Sequence, residues 1–248
     1  MCALQQSKQG VNVAITGASR GLGRAMAERF AEAGHSLFLC SQSAVSIESA
    51  AVDLRRDFPG IKLKTHTGDL SLRKEAQRCG RWILEQTANG GNPRLDVLIN
   101  NAGQYLPGDI SDEPEGNLEK MMEVNLYSAY HLTRALLPQM LRQGSGHIVN
   151  ICSIASLQAY PGGGAYSISK AALSSFSKNL REELKPAGIR VTAVYPGAVW
   201  TDSWKGSGVK PERIMEASDI AEMVYAATRL SSRAVAEDII LRPQLGDL

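Results

Sequence analysis

No stretch of this sequence is apolar over the length needed to cross a bilayer, which argues against a membrane-spanning helix. The residues Met1 to Gly10 are polar and lack the hydrophobic centre of a signal peptide, so no export signal is expected there. An excess of one charge is also missing. Lys and Arg number 27 against 25 Asp and Glu, a formal net charge of +2, and no basic run is present. Nucleic acid is therefore not an expected partner. Cysteine is scarce: Cys2, Cys40, Cys79 and Cys152 are far apart in sequence and form no CxxC pair. They are expected to be buried or free thiols of a reducing cytoplasm rather than disulfides or zinc ligands. His35, His66, His131 and His147 are equally scattered, and no metal-ligand spacing appears. Repeats, linkers and low-complexity segments are absent, so one domain over residues 1–248 is expected.

What is present is a globular composition, 44% hydrophobic and 21% charged, on a chain long enough for one large core. Short β-like runs alternate with longer amphipathic ones. Strands are expected at 11–16, 36–41, 61–66, 95–100, 147–152, 189–195 and 238–241. Helices are expected after the first strand, with Leu22, Met26, Phe30 and Ala33 on one face, and at 47–58, 71–88, 115–141, 165–185 and 218–230. The glycine pairs and triplets at 90–91 and 162–164 read as loops. Several strands are near-continuous Val, Ile and Leu, the pattern of a sheet buried on both faces. The alternation predicts an α/β Rossmann fold: a doubly wound, seven-stranded parallel sheet with three helices on each face.

The first strand runs into a loop holding Gly17, Ser19, Arg20, Gly21, Leu22 and Gly23. Glycines where a strand turns sharply into a helix let backbone N–H groups approach a pyrophosphate at the helix N-terminus. A carboxylate ending the second strand would hold the ribose 2′-hydroxyl of NAD and repel the 2′-phosphate of NADP. Ser41 and Gln42 stand there instead. Arg20 offers a guanidinium to a 2′-phosphate, with Ser19, Ser41 and Gln42 as hydrogen-bonding partners, so NADP(H) is the expected cofactor. A solvated surface role for Arg20 is the alternative.

Tyr166 and Lys170 are four residues apart on an expected helix, so phenol and ammonium share a face. At a separation of ~4 Å and an effective dielectric of ~20 their attraction is roughly 4 kcal/mol, enough to lower a phenol pKa by at most about three units. That predicts a tyrosine brought toward physiological pH as a proton donor or acceptor.

Taken together, Gly17, Gly21 and Gly23, the run Asn100, Asn101, Ala102, Gly103, then Asn125, Ser153, Tyr166, Lys170, Pro196 and Gly197 resemble, in order and spacing, the short-chain dehydrogenase/reductase family. The resemblance covers about Val11 to Leu241. It implies that Tyr166 is the general acid in ketone reduction and the base in the reverse direction. Lys170 would lower the phenol pKa and hold the nicotinamide ribose, Ser153 would bond the substrate oxygen, and Asn125 would anchor a relay water. Asp69 and Leu70 would meet the adenine; Asn101, Ala102 and Gly103 would line the adenosine side. Pro196, Gly197, Val199 and Thr201 would flank the nicotinamide. Members are commonly dimers or tetramers, which makes a homo-oligomer the expected assembly. Residue by residue the alternatives are plain: Asn125 bridging helix to loop, Asp69 shaping a turn, Thr201 capping.

The segment between Thr201 and Ser218 is short and the C-terminal tail departs from the common family pattern. Both features are similar to the bacterial sepiapterin-reductase-like and 3-oxoacyl-reductase-like branch. They imply a flat dicarbonyl substrate, with Trp200 and Trp204 either as stacking surfaces or as residues packing this segment onto the core. Tyr105, Ile154, Gln158 and Tyr160 are further pocket candidates because they follow the expected strand ends. The competing readings are a 3-oxoacyl-thioester reductase, an NAD-linked alcohol dehydrogenase, and a non-catalytic NADP-binding protein.

Overall fold

The computed structural model describes residues 10–204 and 206–248. Cys2 and the polar residues before Gly10 lie outside them. Nine strands and seven α-helices are found in this part of the chain. They are β1 (Asn12–Thr16), α1 (Gly21–Glu32), β2 (Ser36–Ser41), α2 (Ala44–Asp57), β3 (Leu63–Thr67) and α3 (Arg73–Thr87). A small hairpin of β4 (Ala88–Asn89) and β5 (Asn92–Pro93) follows, then β6 (Val97–Asn100). Next come α4 (Asn117–Met122), α5 (Ser128–Gln143), β7 (Gly146–Ile151), α6 (Gly164–Leu184), β8 (Ile189–Pro196), α7 (Ala217–Thr228) and β9 (Asp238–Leu241).

Seven strands form one sheet in the order β3-β2-β1-β6-β7-β8-β9, every neighbouring pair parallel. The order reverses between β1 and β6, where a doubly wound sheet leaves a crevice beyond its strand ends. Side chains alternate across the sheet. Val13, Ile15, Leu37, Leu39, Ile99 and Val194 pack on one face with Met26 and Phe30 of α1, Leu54 of α2 and Val224 of α7. Ala14, Phe38, Leu98, Ile148 and Val191 pack on the other with Ile83 of α3, Leu132 and Leu136 of α5, and Leu180 of α6. Each of the Val, Leu, Ile, Phe and Met side chains among them contributes roughly 1.5–3 kcal/mol on burial. The expected seven-stranded, two-faced architecture is therefore the observed one.

Two elements differ from the expected ones. The helix expected over 115–141 is not continuous: α4 and α5 are joined by a π-helical segment, Glu123–Tyr127. One wider turn re-aims the residues on it, and here it carries Asn125 inward, fully buried. The other difference is at 88–93, expected as helix end and loop, where β4 and β5 pair antiparallel.

Cys40 on β2 and Cys79 on α3, 39 residues apart, bring their sulfurs to 3.0 Å inside the core as free thiols. The Cys79 thiol and burial both push the Cys40 thiol above its usual range. His147 is structural: fully buried, bonded through Nε2 to Thr192 Oγ1 at 2.7 Å, and kept neutral by a burial that lowers its pKa to about 3. Among the described residues no helix is long and apolar enough to cross a membrane, and no group of three or more His, Cys, Asp or Glu is arranged to hold a metal.

Candidate active site

β1 runs into the glycine turn, and two segments of backbone pass close together there. A Cβ on Gly17 would stand 3.0 Å from the Ala102 Cα, and one on Gly23 only 2.3 Å from the Gly17 carbonyl oxygen. Asn101 clamps the turn, its Nδ2 donating to the carbonyls of Thr16 (2.9 Å) and Gly17 (3.2 Å). Thr16 Oγ1 accepts in return from the amides of Asn101 (3.0 Å) and Ala102 (2.9 Å). α1 leaves this turn with no side-chain cap and no acidic residue in its first turn. Its orphan N–H groups and positive dipole end are thus available to an anion.

The turn forms one wall of a cleft of about 1600 Å³ along the C-terminal ends of the strands. Gly17, Ser19, Arg20, Gly21 and Leu22 line it, while Gly23 supports them from behind. Beside them Ser41 Oγ donates to Ser19 Oγ at 3.1 Å, and Gln42 Nε2 donates to Asp69 Oδ2 at 2.9 Å. Asp69 also shapes a turn, its Oδ1 accepting from the amide (3.0 Å) and hydroxyl (2.6 Å) of Ser71. Leu70, Asn101, Ala102 and Gly103 continue the wall toward the middle. Ser43 and Ser46, at the start of α2, line it too. The sequence reading passed over this pair. Its signal was an N-cap serine, since Ser43 Oγ accepts from the Ser46 amide at 3.2 Å.

At the other end of the cleft stand Ser153, Tyr166 and Lys170, with Pro196, Gly197, Val199 and Thr201 alongside. Ser153 follows β7 and caps a short 3₁₀ turn, Ile154–Ser156. Tyr166 lies in the first turn of α6 and Lys170 one turn later, nearly fully buried. The ammonium does not bond to the phenol. Lys170 Nζ donates to the Ile151 carbonyl at 2.8 Å and sits 5.9 Å from the centre of the Tyr166 ring. The expected lowering of the phenol pKa is therefore corrected. Burial pushes Tyr166 up, a hydrogen bond with Ser153 opposing it, and burial brings Lys170 down to about 8. The reason is that a desolvated ammonium needs an acceptor, and the strand-end carbonyl supplies one. The phenol so placed keeps its proton at neutral pH, the state of a proton donor.

Asn125 lies beneath the cleft rather than on its wall. Its Oδ1 accepts from the Gln104 amide at 2.7 Å, and its Nδ2 donates to the Gln104 carbonyl (3.0 Å) and Ser169 Oγ (2.9 Å). A Cβ on Gly103 would lie 3.2 Å from Asn125 Oδ1 and 3.3 Å from Lys170 Nζ, so both polar groups converge on one point of backbone.

Of the substrate candidates, Tyr105 and Trp204 line the cleft, and the Tyr105 ring meets the Tyr166 ring edge-on at 5.0 Å. Ile154, Gln158, Tyr160 and Trp200 are not on the cleft wall. Trp200 stands between two cleft-lining neighbours, Val199 and Thr201, and its amide donates to the Met215 carbonyl at 2.8 Å. Ile154 lies on the 3₁₀ turn and Gln158 just beyond it, and Tyr160 is paired with Tyr105 through a side-chain hydrogen bond. Pro107, Gln104 and Cys152 line the cleft without having been picked out from the sequence.

A profile of the short chain dehydrogenase family matches residues 11–211. The chain belongs to the short chain dehydrogenase family. A sepiapterin reductase of Chlorobaculum tepidum is 35% identical over 242 residues, 94% of this chain and 96% of that protein. In structure the chain is similar to an alcohol dehydrogenase of the archaeon Thermococcus sibiricus complexed with 5-hydroxy-NADP, at 28% identity and a TM-score of 0.86, covering 97% of this chain and 99% of the other. It is also similar to the L-sorbose reductase of Gluconobacter frateurii complexed with NADPH and L-sorbose, at 25% identity and a TM-score of 0.83, covering 94% and 95%. Membership of this family makes the chain an oxidoreductase.

Proposed function

We propose that this short chain dehydrogenase is an NADP(H)-dependent reductase of a small, flat carbonyl compound. The observation that carries the reading is the convergence of Ser153, Tyr166 and Lys170 at one end of a cleft whose other end is an uncapped helix N-terminus beside Arg20. The glycine turn fits a pyrophosphate, because a side chain at Gly17 or Gly23 would fill the space that the backbone uses. Arg20, Ser19, Ser41 and Gln42 would take the adenosine 2′-phosphate, with Asp69 and Leu70 near the adenine and Asn101, Ala102 and Gly103 along the adenosine. Pro196, Gly197, Val199 and Thr201 would flank the nicotinamide. Bound there, the nicotinamide supplies the hydride.

The protein's own part is to orient the carbonyl and stabilise charge developing on its oxygen. Ser153 and Tyr166 offer two preorganised hydroxyls to that oxygen. Tyr166, holding its proton, delivers it as the alkoxide forms. Lys170 and Asn125 lie behind it and would return a proton from solvent. Tyr105 and Trp204 supply aromatic faces, which favours a conjugated dicarbonyl over a saturated acyl chain. The sepiapterin reductase relative supports the same choice. Work in the cytoplasm is part of this reading, supported by the free thiols of Cys40, Cys79 and Cys152. So is a homodimer or homotetramer, supported by exposed Leu118, Tyr127, Leu141 and Ile168 on the α4 to α6 layer.

The test is NADPH oxidation followed by absorbance across diacetyl, a pterin diketone, a 3-oxoacyl thioester and a simple aldehyde, repeated with NADH. The expected result is turnover of the dicarbonyls with NADPH at least tenfold above that with NADH. Exclusive turnover of the thioester would reassign the substrate. Tight NADPH binding with no turnover of any of the four would favour a non-catalytic role.

A further inference from the structure

The helix that carries Tyr166 has a weak beginning. α6 starts after the glycine run at 162–164, its N-cap Gly163 has no side chain to give, and no acidic residue lies in its first turn. Glycine loses more conformational freedom on ordering than any other residue, and only Ala165 separates the run from Tyr166. A phenol that must meet a substrate oxygen cannot rest on a fraying helix end, since a misplacement of about 1 Å can cost roughly 100-fold in rate.

The missing cap comes from another part of the chain. The Gly108 amide donates to the Gly162 carbonyl at 3.0 Å, and the Gly164 amide donates to the Gly108 carbonyl at 3.1 Å. Asp109 Oδ1 accepts from the Gly162 amide at 2.7 Å, and Glu113 Oε2 accepts from the Ala165 amide at 3.4 Å. The segment is itself folded, with the amides of Asp112 and Glu113 both donating to the Asp109 carbonyl, at 3.1 and 2.8 Å. It fits closely as well: a Cβ on Gly164 would come within 2.9 Å of Ile110 Cγ1 and 3.2 Å of the Gly108 carbonyl oxygen. At its start, Tyr105 touches Tyr166 edge-on and reaches the Gly162 carbonyl with its hydroxyl at 3.4 Å.

We propose that Asp109 and Glu113 are positioning residues for Tyr166, forming a cap lent by residues 105–113 to the start of α6. This rests on the reading of Tyr166 as the proton donor. Glu113 satisfies an orphan amide of the first turn, that of Ala165, while Asp109 fixes the Gly162 amide just before the N-cap, and both negative charges suit the positive end of the dipole. Neither carboxylate lines the cleft, so neither meets substrate or cofactor. Their effect is carried by the backbone of 162–165 alone.

The test compares Asp109→Ala/Glu113→Ala with Asp109→Asn/Glu113→Gln, which keeps an acceptor oxygen at both places, and with the single alanine variants should the double one not fold. Steady-state rates use NADPH and the best carbonyl of the panel above, and amide hydrogen exchange is measured across 162–166. The alanine pair is expected to lower kcat at least tenfold, to leave the NADPH Kd within twofold, and to speed exchange of the Gly162 and Ala165 amides at least tenfold. The Asn/Gln pair is expected to recover most of both losses. A kcat within twofold of wild type in the alanine variants, an equal loss of NADPH affinity, or no recovery in the Asn/Gln pair would overturn the proposal. Tyr166→Phe is assayed alongside. Retained turnover there would remove the reading beneath the proposal, whereas a dead Tyr166→Phe with active alanine variants would remove the strap alone.

Discussion

Tyr166→Phe is expected to lower kcat by about 1000-fold while leaving the NADPH Kd within twofold. A positioned general acid contributes typically 10²–10⁴-fold, and a 1000-fold loss corresponds to about 4 kcal/mol of transition-state stabilisation. The substitution removes one hydroxyl and keeps the ring. The edge-on contact with Tyr105 at 5.0 Å is retained, and so is the packing of the first turn of α6. The hydroxyl's partner is Ser153, which still accepts from the Ala155 amide at 3.2 Å and is left with one hydrogen bond fewer. Lys170 is not disturbed, because its ammonium bonds to the Ile151 carbonyl rather than to the phenol. The rate should therefore fall without loss of fold or cofactor, as seen by an unchanged thermal midpoint and an unchanged NADPH titration. A kcat within tenfold of wild type would mean that another group donates the proton.

Arg20→Ala is expected to weaken NADPH at least tenfold and NADH by no more than about twofold. A hydrogen bond to a charged group contributes about 1.5–3 kcal/mol, which is roughly ten- to a hundredfold in Kd. Arg20 is exposed, so solvent screening places the effect at the lower end and makes it shrink as salt rises. The neighbouring groups cannot replace it. The Gln42 amide is held by Asp69 and the Ser41 hydroxyl by Ser19, so what they leave for a 2′-phosphate is neutral hydrogen bonding. Equal weakening of both cofactors, measured by fluorescence titration at low salt, would take Arg20 away from the 2′-phosphate.

The sheet was legible because its strands are buried on both faces, which writes apolar runs such as Val97 to Ile99 of β6 and the Val- and Ile-rich β8. The glycine turn was legible because its spacing is set by close approach of backbones. What escaped depends on contacts between distant segments. Periodicity over 115–141 is the same whether or not one turn widens, so the π segment at Asn125 was hidden; what it serves is a pair of hydrogen bonds to Gln104. The spacing of Tyr166 and Lys170 says that they share a helix face. It does not say that burial outweighs any help from the ammonium, which a strand-end carbonyl holds, and that burial pushes the phenol's pKa up. Trp200 and Trp204 look alike as aromatic candidates, and nothing local in the sequence separates Trp204, on the cleft wall, from Trp200, off it. The cap from Asp109 and Glu113 crosses 53 and 52 residues of sequence and has no local signature. Ile154, Gln158 and Tyr160 follow a strand end in sequence, yet none of them lines the cleft.

The most direct measurement is the fate of deuterium from NADPH labelled with two deuterons at C4 of the nicotinamide, incubated with the enzyme and diacetyl. The account predicts one deuterium on the carbinol carbon of the alcohol product, read by mass spectrometry and NMR, and loss of that product with Tyr166→Phe. An alcohol that is unlabelled at that carbon, or that draws the hydrogen there from solvent, would contradict hydride transfer in this cleft.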